Sequence, residues 1–418
     1  MSADATAASL TARNPVTEAG RMAPKQYDGV LLASFGGPEG QDDVLPFLRN
    51  VTRGRGIPDE RLEAVSHHYR AFGGISPINA QNRALKAALE AELATRGVDL
   101  PVLWGNRNWD PYIPQTLQGA YDAGHRRLLM VTTSAYSCYS SCRQYREDIG
   151  MALTETGLDG KLAVDKVRQY FDHPGFVEPF IEGTTAGLAS VRAELAAAGT
   201  PEAPVHVLFA THSIPMRDAE AAGRSGGEPR EFAEGSAYVA QHLATATAVI
   251  ARILEAGAQE SDEIPWSLVY QSRSGAPHVP WLEPDINDAL EELAAQGVKG
   301  VVVVPLGFVS DHMEVVWDLD TEASQTCEKL GLAFHRAPTP GTHPKFVAGL
   351  VDLICERTVD RHIADRPAMT SLGPWYDVCR PGCCANFRGE KPVIAEEGST
   401  VGTLAAARPV QTPETDAE

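Results

Sequence analysis

The apolar positions of this chain fall into short unbroken runs that alternate with stretches of helical period. The runs at 27–34, 101–105, 127–132 and 162–170 read as strands, and helical spacing fills 59–71, 79–96, 113–124, 139–156 and 174–198. The rhythm then restarts. Strands are predicted at 205–210, 267–270, 299–306 and 332–336, and helices at 229–256, 284–296, 311–330 and 343–359. Apolar runs without polar alternation, such as Val301 to Leu306, indicate strands covered on both faces. Strands alternating with helices indicate parallel sheets. The pattern predicts two doubly wound α/β units at 25–185 and 186–362, followed by a cysteine-bearing extension at 363–386. Residues 1–24 and 387–418 hold little to bury and are expected to be disordered tails.

Ligands of doubly wound sheets bind beyond the carboxyl ends of the strands. Polar clusters sit at those positions: Ser34 to Gly37, Thr132 to Tyr136, Thr211 to Pro215, Tyr270 to Arg273 and Gly307 to His312. Charge narrows the partners. All 418 residues sum to a net charge of −19, which disfavours nucleic acid and anionic lipid as ligands. No run of about 18 apolar residues is present, so no membrane-spanning helix is expected. Nor is a membrane-inserting apolar lip. The first residues lack a secretory leader pattern, and seven cysteines then fit a reducing, cytoplasmic setting.

Candidate chemistry concentrates in a few segments. Glu314, Asp318 and Glu322 recur every four residues, which stacks three carboxylates along one helical face. Such a ladder is either a solvated acidic face or a path for protons or divalent cations. His212 follows a buried-strand pattern; it is either a loop histidine bonded to backbone or a proton acceptor or metal ligand. The cationic loop with Arg49, Arg53 and Arg55 is either solvated or a clamp for carboxylates. Gly36 and Gly37 lack the following Gly-Lys-Ser/Thr of a phosphate loop and read as a turn. Cys379, Cys383 and Cys384 fall within six residues, a density that fits zinc or an iron–sulfur centre. A fourth ligand must come from elsewhere, with Cys142 preferred and Cys138 second. Cys327 and Cys355 lie on helical patterns and read as buried small hydrophobes.

Taken in order, these motifs resemble the ferrochelatases of actinobacterial type. The resemblance runs from about Tyr27 to Cys384 through Leu31-Leu-Ala-Ser-Phe-Gly-Gly-Pro38, Tyr69-Arg-Ala-Phe-Gly-Gly-Ile-Ser-Pro77, Thr211-His-Ser-Ile-Pro215 and the segment Gly307 to Asp320. It implies two flavodoxin-like units with a porphyrin cleft between them and insertion of Fe²⁺ into coproporphyrin III. It implies His212 as the active-site histidine and Glu314 facing it across the cleft, with Asp318 and Glu322 leading away. It also implies a [2Fe–2S] cluster on Cys142, Cys379, Cys383 and Cys384. Phe35, Arg53, Arg55, Ser76 and Tyr136 are the expected substrate contacts, and a downstream haem-pathway enzyme is an expected partner. Phe35 stands where some relatives have tyrosine, so no phenolate reaches the metal from that position. Competing readings are a protoporphyrin IX enzyme, a chelatase acting with cobalt on another tetrapyrrole, and a non-catalytic haem or iron–sulfur module.

Overall fold

The computed structural model describes residues 21–54, 56–223, 236–257, 263–276 and 278–405. Two four-stranded parallel sheets organise it. The first orders its strands β2-β1-β3-β4, with β1 Gly29–Ser34, β2 Val102–Asn106, β3 Arg127–Thr132 and β4 Ala163–Lys166. The second repeats that topology as β6-β5-β7-β8, with β5 Val205–His212, β6 Trp266–Gln271, β7 Gly300–Val304 and β8 Ala333–Arg336. All residues of β1 and of β7 are buried, as their unbroken apolar runs require. In this topology the strand order reverses between β1 and β3 and between β5 and β7. Those two crevices are where a ligand can enter.

The units do not simply sit side by side. The Pro174–Ala197 helix runs through the 185/186 boundary and packs on β5, β7 and β8 of the second sheet. The Pro344–Glu356 helix, last in the second unit, returns to pack on the Ile78–Thr95 helix of the first. One continuous apolar core therefore joins both units, with the ring of Phe176 against those of Phe180 and Phe346 at the crossing. Ser137 and Gln241 exchange hydrogen bonds across the junction at 2.8 and 3.0 Å. The Ala237–Glu255 helix is long and apolar enough to cross a membrane by length and composition; 67% of that stretch is buried in this core.

Several expectations change. The helical pattern at 311–330 resolves into a short turn of α-helix, a π-helix Val316–Ala323 and an α-helix Ser324–Leu330. The pattern at 139–156 likewise opens with a π-helix, Tyr139–Arg143. The pattern at 229–256 is helical over Ala237–Glu255, and residues 224–235 lie outside the described residues. A helix at Val44–Val51 was not anticipated.

The C-terminal expectation needs correction as well. Residues 387–405 are packed, not a tail. Ile394 is fully buried, and the carbonyl of Pro392 lies 2.4 Å from where a Cβ on Gly150 would stand, so only glycine admits the segment there. The segment then pairs by backbone with the outer sheet edge, Val164 N to Gly402 O at 3.0 Å and Ala405 N to Gly160 O at 2.9 Å. Backbone pairing of this kind needs few apolar residues, which is why composition misses it. Residues 21–24 are also tied down. Met22 N donates to Asp377 Oδ2 at 3.1 Å, and Arg357 and Arg366 clamp the same buried carboxylate at 3.2 and 2.6 Å. Asp377→Ala would strand two buried guanidinium groups and is expected to cost about 3–5 kcal/mol, read as a fall in the midpoint of chemical unfolding.

Candidate active site

β5 ends in Thr211 and His212, beside the end of β6 in the register His212 to Gln271. After β7 the chain turns back over the end of β5, and Gly307 makes the approach: a Cβ there would lie 2.1 Å from Thr211 Oγ1. The following segment brings Glu314 to His212, with Oε2 3.5 Å from Nε2. The pair thus stands at the crevice between β5 and β7. Their side chains are 32% and 50% exposed, so both are open to a ligand.

Local bonding defines the histidine's chemistry. Nδ1 hydrogen bonds to the carbonyl of Ser213, which can only accept, so the proton sits on Nδ1. In the neutral ring Nε2 is then the acceptor, and it faces Glu314 and the crevice. Tyr238 fixes the backbone by donating to the His212 carbonyl at 2.8 Å, and Thr211 Oγ1 lies 2.9 Å from both Tyr238 Oη and His242 Nε2. Burial pushes His242 down to about 3, so it is a neutral partner in this network.

The carboxylates continue from Glu314 along the π-helix. Asp318 is half-buried and takes hydrogen bonds from Ser272 Oγ and, at 3.3 Å, from Gln271 Nε2. Gln271 also donates to the carbonyl of Glu314 at 3.3 Å. Ser272 reaches Asp318 from a left-handed backbone, φ 60°, a conformation disfavoured for a residue with a Cβ. Burial, opposed by the Ser272 bond and reinforced by Glu314 and Glu322, raises Asp318 to about 7. At the outer end Trp317 Nε1 donates to Glu322 Oε1 at 2.8 Å, a pairing five residues apart that suits a π-turn.

The first unit closes this ladder from the opposite side. His68 stacks on Trp317 with ring centres 4.0 Å apart, and Met313 inserts among Val44, Phe47, Leu62 and Tyr69. Tyr69 is buried against the acids; burial first, then Glu314 and Asp318, raise its hydroxyl. Phe35, Val65, Phe72 and Ile75 are exposed along this rim.

Other expected contacts are distributed differently. Phe35 is 36% exposed, with the Arg107 guanidinium 5.7 Å from its ring centre. Arg53 is exposed near Tyr112, and Arg55 lies outside the described residues. Ser76 is buried under Gly37 and presents little surface to a ligand. Tyr136 is fully buried, its hydroxyl donating to the Leu306 carbonyl at 3.1 Å and its ring 3.5 Å from His242. It joins the units and is not free to hold a substrate carboxylate. His212 and Glu314 also need correction: they do not meet from opposite walls, because both belong to the second unit and face the crevice together. Gln271, Ser272 and Tyr69 were missed as site residues, although all three lie within motifs that the sequence displays.

A second cluster gathers Cys142, Cys379, Cys383 and Cys384, all buried and none disulfide-bonded. Cys142 comes from the π-helix after β3, and the other three from the C-terminal extension. Cys384 takes a left-handed φ of 54°, which turns its sulfur to 3.8 Å from that of Cys383. Tyr376 Oη lies 3.4 Å from Cys383 Sγ, and Gly223 N donates to Cys384 Sγ at 3.4 Å. Hydrogen bonds from the thiols of Cys142 and Cys383 hold Cys379 well below the usual thiol range, with Arg146 and Lys166 adding to the effect. Cys138 is buried nearby, with Ser141 N donating to its sulfur. Among the described residues no three His, Cys, Asp or Glu side chains converge as a single-ion site.

Comparison with known proteins identifies the family of the chain. The family model described as Ferrochelatase matches residues 27–358. The coproporphyrin III ferrochelatase of Leifsonia xyli is 63% identical over 377 residues, covering 89% of this chain and 95% of that protein. The Streptomyces griseus protein of the same name is 51% identical, covering 89% and 96%. Among solved structures, SirB from Bacillus subtilis with Fe3+ aligns over 80% of this chain and 96% of its own, at 11% identity and a TM-score of 0.40. With two repeated sheets, a histidine–glutamate pair at the second crevice and a family match across most of its length, the chain belongs to the ferrochelatase family.

Proposed function

We infer that the protein inserts Fe²⁺ into coproporphyrin III to give Fe-coproporphyrin, a step of haem biosynthesis. The observation that carries this is the His212–Glu314 pair, 3.5 Å apart and open at the crevice, in a chain closely similar over its length to relatives named for that reaction. Metallation removes two protons from pyrrole nitrogens and delivers a dication to the same ring. His212 Nε2 accepts a proton, Glu314 takes it over, and Asp318 and Glu322 carry it outward. The same carboxylates receive Fe²⁺, since oxygen donors hold such a cation without trapping it. The apolar rim of Phe35, Phe72 and Ile75 covers a macrocycle face, and Arg53 pairs with a propionate at the edge. The test is a steady-state assay with Fe²⁺ and either coproporphyrin III or protoporphyrin IX. Turnover of coproporphyrin at least tenfold more efficient is expected; a preference for protoporphyrin would overturn the substrate assignment, and no turnover of either the activity.

Asp318 gives this reading a pH signature. Its carboxyl is raised from an ordinary 3.8 to about 7, so its ionised form is disfavoured in the folded protein. That penalty is absent below the unfolded value, grows as pH rises between about 4 and 7, and is complete above it. Asp318→Asn removes the charge and is expected to unfold at higher temperature than the native protein at pH 8, with the gain vanishing near pH 4. The same variant should raise KM for iron more than it lowers kcat.

The four thiols suit a [2Fe–2S] centre, held by Cys142, Cys379, Cys383 and Cys384. Four buried, unbridged sulfurs form the required donor set, and a two-iron centre spreads its ligands over two metal atoms, so no single point of convergence is needed. When bound, such a centre supplies a reversible one-electron site and a link between the first unit and the C-terminal extension. Iron insertion changes no oxidation state, so the cysteines serve to staple that extension. Iron and acid-labile sulfide in equal amounts in the purified protein are expected; bound zinc would refute the assignment. A cytoplasmic setting for the reaction is part of this reading, supported by seven cysteines without a disulfide among them.

A further inference from the structure

We propose that Arg146 is a positioning residue that balances the charge of the four-cysteine site and sets the reduction potential of the centre held there. The proposal rests on the iron–sulfur reading. Arg146 lies one helical turn beyond Cys142, and its side chain is fully buried. Its Nε and Nη2 make no hydrogen bond. Nη1 donates to the Ile394 carbonyl at 3.4 Å and lies 3.7 Å from Glu396 Oε2, a carboxylate that Arg143 already binds at 2.8 Å. The two other arginines buried this deeply are differently placed. Arg168 holds Asp172 at 2.5 Å and Glu356 at 2.9 Å, and Arg357 holds Asp377 at 3.2 Å.

A guanidinium does not shed its proton in a protein, so a buried one needs an anion. The groups around Arg146 identify it. Ile394 and Glu396 belong to the strand-like segment that bonds to Cys379, with Cys379 N donating to Ala395 O at 3.0 Å and Glu397 N to Cys379 O at 2.8 Å. Cys142 is on the same helical approach. Arg146 is thus enclosed by elements that carry the ligands, with two donors unspent. A [2Fe–2S] core with four thiolates carries about −2 when oxidised and about −3 when reduced, and hydrogen bonds and net charge at the sulfurs tune its potential. A fixed cation favours the more negative, reduced form.

The experiment uses the full-length protein purified without oxygen. Iron and sulfide content, the electron paramagnetic resonance spectrum after dithionite, and the potential from a mediated dithionite titration are compared for native protein, Arg146→Gln and Arg146→Lys. Arg146→Gln is expected to shift the one-electron equilibrium at least about tenfold toward the oxidised form, a potential lower by about 59 mV. Arg146→Lys should stay within about threefold of native. An unchanged potential in Arg146→Gln overturns the proposal. If Arg146→Gln loses its iron and sulfide, Arg146→Lys decides: retention at near-native potential supports the charge role, and loss in both overturns it. Native protein free of iron and sulfide would sink the iron–sulfur reading, and this proposal with it; a native cluster with indifferent variants sinks the role of Arg146 alone.

Discussion

Replacing His212 by alanine is expected to lower kcat for iron insertion by about 10³-fold while coproporphyrin binding stays within a few-fold of native. The Nδ1 bond to Ser213 leaves Nε2 as an acceptor, and alanine supplies none. A thousandfold loss corresponds to about 4 kcal/mol of barrier, the range of one well-placed general base. Binding should survive because the crevice walls remain: the rim of Phe35 and Phe72 and the seat of Met313 lie on other elements. Porphyrin absorbance titration and turnover, measured side by side, separate the two effects. Activity retained in His212→Ala would take the histidine out of the reaction.

Glu314→Gln is expected to lose about 10²-fold in kcat. The amide keeps the size and reach of the side chain but accepts no proton and holds Fe²⁺ poorly. Glu314 stands between His212 and Asp318, so the change breaks the chain of acceptors without disturbing its ends. His212→Ala and Glu314→Gln combined should cost little more than His212→Ala alone, because groups acting in series are not additive. A double variant whose loss is the product of the two single losses would mean that the residues work on separate steps.

Much of this site is legible in the sequence, for definite reasons. The strand runs and the repeated rhythm fix two parallel sheets, and strand ends then single out His212 and the segment after β7. The ladder from Glu314 to Glu322 is visible as spacing. What spacing cannot tell is that the ladder rides a π-helix, because the hydrogen-bond offset depends on the side chains that surround it. Tyr136 illustrates a second limit. Its place after β3 suggests a ligand contact, yet its ring is consumed by His242 and its hydroxyl by Leu306, partners distant in sequence. The stretch 387–405 shows a third, since its anchoring is mostly through the main chain.

The exchange of the Pro174–Ala197 and Pro344–Glu356 helices has a mechanical corollary. A hinge between the two halves would have to tear a single shared interior, at a price far above thermal energy. The jaw therefore keeps its gape. In the proposed metallation, a tetrapyrrole bent on binding within such a fixed frame would tip its nitrogen lone pairs out of plane, toward whichever side carries the incoming cation.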